Sequence, residues 1–275
     1  VVREPAGSVD KAGAHRSEVM NTPRRAYARA AAVGLMTVPA RAAADTCGNG
    51  DNTFEIEFVT IGDPGNAADT TGDPTSAGFV DYVYSIAKYE ASRDMVEKAN
   101  AEGGLGLTLH SMSTVTGGPR PDMPATGVSW NEVARFVNWL NTSEGFSAAY
   151  NFATQPGEVG YNSNEYILPW GPTDAGYDAA NLFRNSQSHF FLPSVNEWYK
   201  AAFYDPDANG GDGGYWYFPT GSDSVPAAVA SGTAAGTAVW DQAVEQGPAD
   251  ITLAGGLSPY GVMGQGGNVW EWEET

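Results

Sequence analysis

Cysteine is nearly missing from this chain: Cys47 is alone among 275 residues, so no disulfide can close within it. Either that thiol is tolerated unpaired or its partner belongs to sequence outside the chain, and no leucine stands three positions before it to mark lipid attachment. Histidine is scarce too, with only His110 and His189 beyond the front segment, and His189 sits in an aromatic run with Phe190 and Phe191 that suits packing. There is no serine nucleophile elbow, no phosphate loop and no zinc-type Cys/His spacing, which argues against hydrolase, kinase and zinc-enzyme chemistry. Basic residues are few: 14 Lys+Arg face 33 Asp+Glu, a net charge of −19. Seven of the basic residues precede residue 42 against only Glu4, Asp10 and Glu18, so the remainder is more acidic still. Such a surface repels phosphate backbones and excludes nucleic acid as a partner, while suiting cations or basic partners. Past the front, no apolar run approaches the ~20 residues of a membrane span.

What is abundant is glycine, 34 residues, with 8 Trp and 13 Tyr. This composition predicts one irregular domain with a core of aromatic rings between short elements and long turns. The front reads as a processing segment. Met20 precedes Arg24, Arg25 and Arg29, a mild apolar run over 30–39, and small residues at Ala40, Ala42, Ala43 and Ala44. The expected organisation is an upstream or disordered segment at 1–19, a signal peptide at 20–44, and the domain at 45–275, exported to a periplasmic or extracellular site.

Within the domain, Phe54, Ile56 and Phe58 alternate with Glu55 and Glu57, the pattern of a half-buried strand; Tyr82, Tyr84 and Ile86 share that period. Ser92 can cap a short helix that ends at Gly103-Gly104. Two further helices carry capping boxes, Ser129 with Glu132 and Ser194 with Glu197, followed by apolar stripes through Val133, Phe136, Val137 and Leu140, and through Val195, Trp198, Ala201 and Ala202. Glu132 and Glu197 are therefore read as capping residues and not as catalytic acids. Long polar connections at 157–164, 205–214 and 231–256 are of the kind that carry function or are tied down by ions.

Calcium is the better inorganic reading, since hard cations take oxygens from carboxylates and carbonyls. The run 205–210 resembles half a calcium loop but reaches Trp216 where the closing glutamate belongs, so it reads as a turn. The string 266–272 makes another offer. If 267–272 is extended, it puts Trp270 and Trp272 on one face and Val269 and Glu271 on the other. The carbonyls of Gly267 and Val269 could then join the Glu271 carboxylate around one cation, or the segment is simply an aromatic core strand with Glu271 exposed.

Several strings in order resemble the formylglycine-generating enzyme family, also called sulfatase-modifying factors: 84–90 (YSIAKYE), Met123-Pro124, 128–130 (VSW), Trp139-Leu140, 191–198 (FLPSVNEW), 258–261 (SPYG) and 268–272 (NVWEW). The resemblance covers about 54–272. It implies an α+β fold with little regular secondary structure, distantly similar to C-type lectins, and a calcium site to which Gly267, Val269 and Glu271 match; Gly264 stands where the family usually has Asp or Asn. Members that oxidise a substrate cysteine to formylglycine do so with two copper(I)-binding cysteines that lie beyond the tryptophan signature. The chain is thus expected to be C-terminally truncated, without catalytic residues of its own, and to serve as a binding or cell-surface module. Its expected partners are proteins or peptides, a sulfatase or a cell-surface ligand among them. The alternative is a complete protein that is a copper-dependent formylglycine-generating oxidase, and a lectin-like display domain is a third class.

Overall fold

The alternation at 54–58 builds a strand whose apolar residues face the core, and the three serine caps start helices where they stand. The computed structural model describes residues 1–3, 43–72 and 74–274. In chain order the elements are β1 (Val2–Arg3), β2 (Ala43–Cys47), β3 (Phe54–Ile61), β4 (Tyr84–Ala87), α1 (Arg93–Gly103), α2 (Trp130–Ser143), β5 (Phe190–Phe191), α3 (Val195–Phe203), β6 (Tyr204–Asp205), β7 (Gly214–Tyr215), β8 (Ala227–Ala228) and β9 (Thr237–Ala238), with single 3₁₀ turns between them.

One five-stranded sheet, in the order β2-β3-β4-β1-β5, carries the core, and every pairing in it is antiparallel. In β3, Phe54, Ile56, Phe58 and Ile61 are buried while Glu55, Glu57 and Thr60 are exposed. β4 differs from the expected alternation. All four of its residues are buried, because the strand lies between β3 and β1 and is covered on both faces, and Tyr82 falls before it, half exposed. Ring packing joins sheet and helix: Phe54 lies 5.9 Å from Trp139 of α2, and Phe58 lies 6.0 Å from Phe190.

The helices follow their caps. Ser92, Ser129 and Ser194 each have extended backbone and accept from the third amide of their helix, and Gly104 ends α1 in the left-handed conformation. Phe136, Val137 and Leu140 of α2 are buried as its stripe predicts; Tyr199 of α3 is buried as well, outside the stripe. Asn141, fully buried, binds the edge of β5 with its side chain: Nδ2 donates to the Phe190 carbonyl at 2.7 Å, and Oδ1 accepts from the Phe190 amide at 2.9 Å.

At the front, Val2 pairs with Ile86 on one side and Phe191 on the other, so residues 2–3 belong to the sheet, whereas the sequence places 1–19 upstream of the domain. Residues 4–42, which include most of the expected signal peptide, lie outside the described residues; Ala43 and Ala44 open β2. No helix among the described residues is long and apolar enough to cross a membrane. His189 packs as its setting suggests, stacked 4.4 Å from Phe146.

Candidate functional site

The segment 266–272 is a loop, and the extended strand expected of it does not form. The reason lies at Asn268, whose φ of 65° is left-handed and breaks the alternation that would have put Trp270 and Trp272 on one face. Polar contacts to Val239, Ala249 and Glu90 hold Asn268 in that conformation. Its amide donates to the Val239 carbonyl at 2.7 Å, its Oδ1 accepts from the Ala249 amide at 2.8 Å, and its Nδ2 donates to Glu90 Oε2 at 2.6 Å. Glu90 also accepts from the Val269 amide, so this one carboxyl, just past β4, ties the loop to the sheet. Burial pushes the Glu90 carboxyl up to about 8, Glu271 adds to the shift, and the bonds from Asn268 and Val269 oppose it.

Two glycines make the approach possible. A Cβ on Gly267 would lie 2.2 Å from the Val239 carbonyl oxygen, and one on Gly264, at φ +95°, would lie 3.0 Å from Glu90 Cδ. A side chain at Gly264 would therefore crowd the Glu90 carboxyl.

Past the loop, the chain is pinned to the core. Glu274 accepts from Arg184 Nε at 2.8 Å and from the Tyr150 hydroxyl at 2.7 Å; Arg184 also reaches Glu197 at 3.3 Å and lies 4.0 Å above the Phe191 ring. Glu197 is fully buried, accepts from the Ser194 amide at 2.7 Å and from the Tyr82 hydroxyl at 2.9 Å, and so does structural work beyond capping α3.

The loop divides two recesses. The inner one, about 880 Å³, reaches Glu90, Thr126, Glu132 and Met263; the outer one, about 1390 Å³, reaches Trp130, Tyr166, Trp240 and Asp241. Trp198, Gln265, Trp270, Glu271 and Trp272 line both. Four indoles of this cleft have their N–H edges engaged. Trp198 donates to Glu271, Trp130 to the Glu273 carbonyl at 2.7 Å, Trp240 to the Pro226 carbonyl at 3.0 Å, and Trp272 to the Val128 carbonyl at 3.0 Å. The surrounding protein raises the Glu271 carboxyl against the opposing bond from Trp198; the residue stays open to water through the cleft, which screens the effect. Glu273 is raised by burial first and by the Glu271 charge second.

Of the residues matched to calcium, Gly267, Val269 and Glu271 share this loop and offer two carbonyls and one carboxylate. Neither carbonyl accepts a hydrogen bond among the described residues. Three oxygens are fewer than the six to eight calcium takes, so water would have to complete the shell. Among the described residues no group of three or more His, Cys, Asp or Glu could hold a metal ion. The half calcium loop is a turn: Asp205 accepts from the Asp207 amide and from Trp216 Nε1. Cys47 is fully buried in β2 opposite Phe54, and burial pushes its thiol up to about 12. Sequence reasoning missed Glu90 and Asn268 as the pair that shapes the cleft; both lie in the strings quoted above, but nothing local signals that residues so far apart share a hydrogen bond.

The family model of the sulfatase-modifying factor enzyme 1-like domain matches residues 74–275. No curated protein matches the chain. Among solved structures, Treponema denticola variable protein 1 is similar at 16% identity and a TM-score of 0.51, covering 83% of this chain and 75% of that one, a likeness of fold alone. The sheet strands β2 and β3 precede the matched region and complete its core. With its α+β architecture, its sparse regular structure and three quarters of its length inside the matched region, the chain belongs to the sulfatase-modifying factor family.

Proposed function

We propose that this chain is a binding module of the family, exported through the leader at 20–44, and that it does not oxidise cysteine. The observation that carries the reading is Cys47. Two-thiolate copper(I) chemistry needs two accessible, ionisable thiols, and the one cysteine present is fully buried, has its thiol pushed up to about 12 and lies away from the cleft. That thiol does not fit a copper(I) site. The cleft around 266–272, walled by indole rings and carboxylates, is the surface available to a partner, a protein or peptide such as a sulfatase or a cell-surface ligand. Oxygen consumption with copper(I) and a cysteine-containing peptide tests the claim: none is expected, and turnover by this chain rejects it.

The second reading, a formylglycine-generating oxidase, is favoured by the family match over 74–275 and requires a cysteine pair outside this chain. Calcium at Gly267, Val269 and Glu271 accompanies the first. A chelator is expected to lower the melting temperature, and Glu271→Ala to remove the difference; an unchanged melting curve on chelation rejects the ion.

A further inference from the structure

We infer that the cleft on the outer side of the signature loop is a receptor for a compact quaternary ammonium ion, held against indole faces and the Glu271 carboxylate. The inference rests on the binding reading above and names its ligand class. Two observations at the cleft carry it.

The first is what lines the recess. Trp130, Trp198, Trp240, Trp270 and Trp272 surround it together with Asp241, Glu271 and Glu273, and no lysine, arginine or histidine is among its lining residues. A cleft of aromatic rings and carboxylates with no base of its own carries a negative potential that favours a cationic ligand.

The second is how the rings are held. With the N–H edges of Trp130, Trp198, Trp240 and Trp272 bound to protein acceptors, what these rings offer the cleft is carbon surface, including the negative face of the π-system. An anion finds no free donor at these four rings, whereas a tetraalkylammonium ion needs none and gains from the ring quadrupoles. A neutral sugar would instead need donors and acceptors matched at its hydroxyls.

The chain as a whole also carries a net charge of −19, which draws cations in from solution.

Tryptophan fluorescence and calorimetric titration with choline and with tetramethylammonium, in the presence of a calcium chelator, test the inference. The neutral isostere 3,3-dimethyl-1-butanol is the control. Saturable binding of both cations is expected, at least tenfold tighter than the alcohol and weakened by added salt. Glu271→Gln is expected to weaken choline about tenfold. Trp270→Leu, at a fully exposed ring whose loss cannot unfold the domain, is expected to weaken choline severalfold while leaving the alcohol unchanged. Equal affinity for the alcohol, no effect of Glu271→Gln, or no saturable binding of either cation overturns the inference. Binding of a glycan or neutral peptide without the cations overturns the ligand class alone and leaves the binding reading standing; turnover of a cysteine peptide removes that reading itself.

Discussion

Gly267 has no room for a methyl group: a Cβ there would sit 2.2 Å from a backbone oxygen that cannot swing away. Gly267→Ala is therefore expected to displace the loop, costing roughly 1–3 kcal/mol and changing the tryptophan fluorescence of the cleft; a native melting curve and spectrum would contradict the packing described. Lys200 makes a different prediction. Fully buried, with Nζ donating to the Asp63 carbonyl at 2.8 Å, it has a pKa lowered by burial to about 8, with the Asp63 charge opposing. The unfolded chain keeps its proton to about 10.5, so between pH 8 and 10.5 the unfolded state binds more protons. The lysine's contribution is thus least favourable below pH 8 and improves as pH rises through that window. The stability difference between wild type and Lys200→Met, from urea titrations at pH 7.5 to 10, should shift toward wild type as pH rises. A flat difference would show the ammonium to be better solvated than its burial implies. Gly267 was singled out in the sequence for its carbonyl, but Lys200 was not, because what sets it apart is a carbonyl supplied from elsewhere in the chain.

Helix starts were the most legible elements, since a capping box is local and its partners lie three residues apart. The two boxes are not equivalent in the folded protein. The Ser129 hydroxyl accepts from the Glu132 amide and donates to Asn164 at the surface, whereas the Ser194 hydroxyl donates at 2.8 Å to Glu197, which is fully buried. Ser129→Ala is expected to cost about 1 kcal/mol and Ser194→Ala about 2 kcal/mol, because the latter also strips a donor from a buried carboxylate. Urea midpoints at constant slope check the order, and equal losses would mean that burial at Glu197 adds nothing. The strands were half legible. β3 alternates because one of its faces meets water, and its period shows; β4 is covered on both faces, so its period carries no signal. The loop at 266–272 went wrong for a related reason: its string reads as extended, and the left-handed turn at Asn268 exists only because Glu90, Val239 and Ala249 hold it.

The molecule as a whole is closed by one buried ionic network. Arg184 joins Glu197 in α3, Glu274 after the signature loop and the ring of Phe191, and Tyr150 donates to Glu274 from the other side. Arg184→Met should leave two carboxylates uncompensated and cost roughly 3–5 kcal/mol; adding Glu274→Gln should recover part of that loss, and a non-additive double-mutant cycle by denaturant unfolding would show it. The family, the acidic composition, the helix starts and the half-exposed strand β3 were legible in the amino-acid order, because each depends on composition or on neighbours a few positions apart. The cleft was not. Its walls come from Glu90, Trp130, Trp198, Trp240 and Trp272, and a hydrogen bond between Asn268 and Glu90 spans 178 positions. Folding alone brings such groups within 3 Å, and the energy of a buried carboxyl or an engaged indole depends on those distant partners and on the water they exclude.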